Sequence, residues 1–135
     1  MKGRKQMLIK ILMAGIFSAA FAYLCNKVIV SFFSDRGLVI LAPLVEEVAK
    51  TGFAILLQTS IIGGHFVFGL IEGVYDIYTS PKKTGKWAAL ASVISHSFFG
   101  IITYFLYIKT GLLPVGIGLA WIFHSSWNWY IIKNL

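Results

Sequence analysis

Acidic residues are nearly absent from this sequence: five Asp and Glu stand against 12 Lys and Arg in 135 residues, and charged residues of both signs make up only 13%. A water-soluble domain carries about 25% charged residues, so this chain lacks the polar surface that would cover a conventional core in water. Cysteine occurs once, at Cys25, which excludes an internal disulfide and a secreted disulfide scaffold. Repeats and low-complexity segments are missing, and so is the polar bias of a disordered chain. What is present instead is apolar: 58% of residues are hydrophobic and the mean hydropathy is +0.80. The solvent for most of this surface must be lipid. A net charge of +7 raises nucleic acid as a partner, but no segment joins a solvated basic stripe to groove-reading geometry. Anionic lipid headgroups are the expected partner of the basic residues.

The length allows one domain, and spans of about 20 residues each leave room for five with short connections. A basic start, Met1–Lys5, leads into an apolar run from about Met7 to Phe33. A cleaved signal peptide has such a start, but this run is too long and lacks a small-x-small cleavage site, so an anchoring first span is expected. After the turn-like Ser34-Asp35-Arg36-Gly37, a second span covers about Leu38 to Leu57. Gly63-Gly64 reads as a tight connection near the start of a third span, roughly Ile61 to Thr79. Ser80 to Lys86 reads as a hydrophilic loop, followed by a fourth span from Trp87 to Lys109. Thr110-Gly111 separates this from a fifth span ending at Lys133, whose closing Trp127, Trp129 and Tyr130 suit an interfacial belt. The expected fold is an all-α, polytopic transmembrane helical bundle, with an anchoring span in residues 1–36 and a four-helix core in 37–133. Lysine placement divides the orientation: Lys2, Arg4, Lys5 and Lys10 favour an internal N-terminus, which would put Lys82, Lys83 and Lys86 outside.

The few acids are concentrated where they cost most. All but Asp35 fall inside expected spans, as Glu46, Glu47, Glu72 and Asp76. An ionisable group at mid-bilayer costs about 2.5–3.5 kcal/mol on insertion scales and usually marks function. His96, His124, Lys50 and Asn128 also lie inside spans. Residues four apart share a helix face, which pairs Glu46 with Lys50, Glu72 with Asp76, and His124 with Asn128. Glu47 sits about 100° around the helix from Glu46, so one carboxylate can serve chemistry and the other structure. Counted from span ends at Gly37, Thr79, Trp87 and Lys133, the residues Glu46, Glu72, His96 and His124 all lie roughly 10–14 Å below one membrane face at about 1.5 Å per residue. That common depth predicts one water-accessible polar cavity.

These residues carry a resemblance. Glu46-Glu47-Val48-Ala49-Lys50 reads E-E-x-x-K, Phe68 to Glu72 reads F-x-x-x-E, His96 follows on the fourth span, and His124 to Asn128 reads H-x-x-x-N. In that order, on successive spans, the set resembles the PrsW family of intramembrane proteases. That family is grouped with the type II CAAX prenyl endopeptidases and bacteriocin-processing enzymes, whose members typically carry E-E-x-x-x-R and F-x-x-x-H; Lys50 and Glu72 favour the PrsW branch. The resemblance covers about residues 46–128, and Asn128 stands where Asp is common. It implies an integral protein of a bacterial or archaeal cytoplasmic membrane that cleaves a peptide bond of a membrane protein substrate.

Such hydrolysis needs a water, a base and donors for the developing oxyanion. A carboxylate in a low-dielectric cavity is a stronger base than one in water, which nominates Glu46 or Glu47. The plainer reading of this pair is a Glu46–Lys50 ion pair that neutralises buried charge. Glu72 can hold the water or orient His96, and Asp76 either supports that face or is an interfacial polar residue. His124 and Asn128 can donate to the oxyanion. Alternatively His96, His124 and Glu72 can form a zinc set, as in a metalloprotease, although no H-E-x-x-H is present; both chemistries stay open. Phe68 is expected to pack around the site, and His65 to be an ordinary packed histidine. Gly100, Gly111, Gly116 and Gly118 are expected to permit close helix approach. Two competing functions use the same polar residues: a noncatalytic scaffold or immunity protein, and a small proton-coupled carrier.

Overall fold

The computed structural model describes residues 2–134, apart from the side chains of Lys2, Asp35 and Asn134. Five α-helices follow one another: α1 Lys2–Arg36, α2 Ala42–Leu56, α3 Ile61–Thr79, α4 Lys82–Thr110 and α5 Leu113–Asn134, with a π-helical segment, Gly37–Leu41, between α1 and α2. Five helices thus stand where five spans are expected, and the described residues are all-α. By length and composition, two of them are long and apolar enough to cross a membrane: α1 over Gly3–Ser34 and α4. The other three are shorter, at 15, 19 and 22 residues, and they carry Glu46, Glu47, Glu72, His65 and His124.

Several connections differ from expectation for local reasons. The expected turn at Ser34–Gly37 is a kink in a continuous helical path, with Ser34 at φ 49°. The π segment follows it, and Pro43 accounts for how the segment is held. Ala42 N–H bonds to Gly37 O, five residues back; in that register Pro43 would serve Leu38 O, but proline has no N–H. Helix α5 supplies a donor there instead, Asn128 Nδ2 to Leu38 O at 3.1 Å, and also places Trp121 Nε1 on Ile40 O at 2.8 Å. Gly63-Gly64 is not a connection but the first turn of α3, where Ser60 Oγ caps the helix by accepting Gly63 N–H at 3.0 Å. The hydrophilic stretch 80–86 is mostly helix too: Pro81 stands at the N-cap of α4, and Lys82, Lys83 and Lys86 belong to its first turns. Gly111 closes α4 in the left-handed conformation at φ 71°, its N–H on Tyr107 O at 2.8 Å.

Small residues set how closely the helices approach. A methyl group on Gly69 would stand 3.0 Å from Ser92 O and 3.1 Å from His96 Cβ, and one on Gly73 would stand 3.1 Å from Ala89 O. Only hydrogen at these positions lets α3 lie against α4 and brings Glu72 beside His96. Gly100 and Gly116 serve the same purpose against His65 and Thr103, whereas Gly111 and Gly118 have no neighbour within 4 Å of a built methyl; the expectation of close approach fails for those two.

Polarity is inverted relative to a water-soluble fold. Lys50, His65, His96 and Glu47 are the largest fully buried side chains, while Tyr78 is 85% exposed and Leu56 and Phe32 are each 77% exposed. The packed apolar positions are mainly small, with Ala14, Ala22, Ala42, Ala54 and Ala120 among them.

Candidate active site

Two consecutive glutamates on α2 have different surroundings. Glu47 is fully buried, and its Oε1 accepts hydrogen bonds from Lys50 Nζ at 2.6 Å and from His124 Nδ1 at 2.8 Å. Lys50 therefore pairs with Glu47 and not with Glu46, one turn back at three residues instead of four. Glu46 points towards α1, where Asn26 Nδ2 donates to its Oε1 at 2.9 Å. Its Oε2 has no hydrogen-bond partner and lies 3.7 Å from His124 Nε2. In the tautomer that places Nδ1–H on Glu47, Nε2 of His124 turns its lone pair towards Glu46. In that tautomer two acceptors face each other across a gap that a proton, a water or a cation would bridge.

A second chain of contacts runs from Lys50 to α3. Lys50 Nζ lies 2.8 Å from His96 Nδ1, and His96 Nε2 is hydrogen-bonded to Glu72 Oε2, which also accepts from Ser92 Oγ at 2.6 Å. One tautomer satisfies both contacts: Nδ1 accepts from the ammonium, and Nε2–H donates to the carboxylate. A buried ammonium with carboxylate, imidazole and aromatic partners is compensated where an isolated one would be prohibitive. The partners here are Glu47, His96 and the Phe68 ring, whose centroid is 4.6 Å from Nζ. Phe68 also meets His96 edge-on, and Phe99 stacks on His124 at 4.9 Å. The aromatic rings thus wall the imidazoles on both sides and fix their orientation.

A groove of about 740 Å³ opens onto this cluster between α1 and α3. Ile16, Ala19, Ala20 and Ile71 make it apolar, while Asn26, Glu46 and Glu72 bring polar atoms to it. Glu46 and Glu72 are the acids of the cluster that line the groove; Glu47 sits behind them.

Glu46, Glu47, Lys50, Glu72, His96 and His124 are therefore brought together, with Phe68 packed among them. Asn128 is not; its amide donates to Leu38 O in the π segment, away from the cluster's contacts. Asp76 lies one turn beyond Glu72, half-buried. The set His96, His124 and Glu72 is not the one whose ligand atoms converge; that set is Glu46, His96 and His124, all buried, with atoms within 4.8 Å of one another. The geometry fits a metal incompletely. Both nitrogens of His96 are already engaged, by Lys50 and by Glu72, so a cation would have to displace one of them.

Sequence reasoning passed over Ser92, Asn26 and Phe99 and classed His65 as an ordinary packed histidine. His65 is fully buried, with Nε2 3.3 Å from Thr51 Oγ1 and Nδ1 3.6 Å from Glu47 Oε2; its place two helical turns before Glu72 was the available signal. Ser92, one turn before His96, could have been found the same way. Asn26 stands out as a polar residue in an apolar run. Phe99 carried no signal. Comparison with family models, curated proteins and solved structures finds no match to this chain.

Proposed function

We propose that the chain is a membrane-embedded endopeptidase of the PrsW type, in which Glu46 activates the hydrolytic water for cleavage of a membrane protein substrate. The observation that carries this reading is the free Glu46 Oε2, facing His124 Nε2 at 3.7 Å beside an apolar groove. A water lodged there is held by both groups. Glu46 takes its proton as the oxygen attacks the scissile carbonyl, and that proton passes to the leaving amine when the C–N bond breaks. Asn26 fixes the carboxylate through one amide hydrogen and has a second for the oxyanion. Glu47 and Lys50 are positioning residues: they hold His124 and His96 in single tautomers, and Lys50 supplies a fixed positive charge behind the site.

The inverted polarity supports a bilayer setting, as do the two apolar helices. All five helices are read as spans of a polytopic bundle. The five-residue π segment and 15-residue α2 together approach the ~20 residues that a span requires. The membrane is proposed to be the cytoplasmic membrane of a bacterium or archaeon. A zinc ion on Glu46, His96 and His124 is the second reading, favoured by their convergence and opposed by the engagement of both His96 nitrogens.

The test is proteolysis of single-span membrane peptides by the full chain in liposomes. Cleavage is expected for wild type and is expected to fall by about 10³-fold or more in Glu46→Gln, the scale of losing a catalytic base. A folded wild type that cuts nothing in a broad panel, or a Glu46→Gln variant that cuts at the wild-type rate, contradicts it.

A further inference from the structure

Lys27 is an exposed cation on an apolar helix, without a carboxylate partner among the described residues. It sits in the apolar part of α1, next to Asn26, and lines the groove together with Glu46 and Glu72. Among the described residues it is the one cation lining that groove. Its Nζ lies 4.7 Å from the centroid of the Tyr23 ring, and it forms no ion pair with a described carboxylate. Neither groove acid pairs with it: Glu46 accepts from Asn26 through Oε1 and turns Oε2 towards His124, and Glu72 is held by Ser92 and His96. Lys10, the other lysine in the apolar run, does not line the groove. Intramembrane charges face a cavity or a partner, and here the cavity is the channel that leads to the reacting atoms.

We propose that Lys27 is a specificity residue that binds a carboxylate of the substrate segment, so that the protein selects membrane segments carrying an acidic residue at a fixed distance from the scissile bond. This deepens the protease reading and rests on it. The chemistry favours the pairing, since an acid inside an apolar segment loses the cost of isolation when it meets the ammonium exposed at the groove. The Tyr23 ring holds the ammonium from one side by its π face and leaves the donors on the other side for a carboxylate. Lipid phosphate offers the ammonium similar anionic oxygens, and the experiment separates the two sources.

The probe is a fluorescent single-span peptide of otherwise apolar sequence, with one Glu stepped along it and Gln at the same position as control. Binding is measured on the Glu46→Gln full chain in phosphatidylcholine liposomes, so that nothing is consumed. The expected result is a Glu preference of about tenfold at one position or two neighbouring ones, the size of a charge-assisted hydrogen bond. Lys27→Met is expected to abolish that preference while leaving Gln-peptide affinity unchanged, and Lys27→Glu to transfer it to a Lys-bearing peptide. Equal binding of Glu and Gln peptides at every position, or a preference that survives Lys27→Met, overturns the proposal. So does a preference that vanishes when phosphatidylglycerol is added, which would assign Lys27 to anionic lipid headgroups. The two readings fail distinguishably: preferential binding of peptides that wild type never cuts would sink the protease reading and leave Lys27 a carboxylate-binding residue only, and cleavage without any acidic preference would sink the assignment of Lys27 alone.

Discussion

Replacing Lys50 by methionine removes one positive charge from between two helices and leaves the volume nearly unchanged. Three contacts go at once: the 2.6 Å ion pair with Glu47, the 2.8 Å contact with His96 Nδ1, and the ammonium 4.6 Å from the Phe68 ring centroid. Glu47 is then a fully buried carboxylate with a histidine as its remaining hydrogen-bond donor. Breaking one partner of a buried pair costs about 3–5 kcal/mol, chiefly because a charge is stranded. Glu47→Gln strands the ammonium instead and is expected to cost about the same. In the double variant Lys50→Met/Glu47→Gln neither charge remains, so the loss is expected to fall short of the sum of the singles by about 1.5–3 kcal/mol, a coupling energy at the upper end for contacting residues. Reversible unfolding in mixed micelles, followed by tryptophan fluorescence, measures all three. Additivity within about 0.5 kcal/mol, or a Lys50→Met variant as stable as wild type, would refute the claim that this ion pair organises the interior.

Four further outcomes follow from the packing and hydrogen bonds. Gly69→Ala puts a methyl 3.0 Å from the Ser92 carbonyl oxygen and is expected to cost about 1–3 kcal/mol by overpacking. Gly118→Ala meets nothing within 4 Å and is expected to stabilise by about 0.5–1 kcal/mol through helix propensity; thermal melts of the pair in micelles check both signs. Asn128→Ala removes the donor to Leu38 O and is expected to cost about 1 kcal/mol of stability with kcat on a cleaved peptide unchanged, because the amide is outside the reacting cluster; a large kcat loss at full stability would return it to the catalytic set. Chelation is expected to leave cleavage intact, since His96 has no nitrogen to spare for a metal, and loss of activity restored by added zinc would reverse that assignment.

The polar centre was legible because charge is so scarce that each buried acid or imidazole stands out, and helical periodicity then placed Glu46, Glu72, His96 and His124 at one depth. Which groups pair was not legible. Both three- and four-residue spacings lie on one helix face, so Lys50 was free to meet either glutamate; Glu47 and His96 together hold it, and His96 comes from α4, far along the chain. Asn128 was misplaced for a related reason. Its i+4 relation to His124 is sound, but Leu38 O lacks a backbone donor because of Pro43, and that demand shows only once Gly37–Leu41 is seen as a π segment. Helix ends were least visible where polar residues continue a helix, as at Lys82–Lys86, and where glycines begin one, as at Gly63-Gly64.

The most direct measurement is cleavage of a single-span peptide in liposomes made up in heavy-oxygen water, with the products read by mass spectrometry. The account predicts one heavy oxygen in the new C-terminal carboxylate with wild type and about 10³-fold less product with Glu46→Gln, while Asn128→Ala still yields labelled product. Product formed by the Glu46→Gln chain at the wild-type rate, or the absence of any product from a correctly folded wild type, would contradict it.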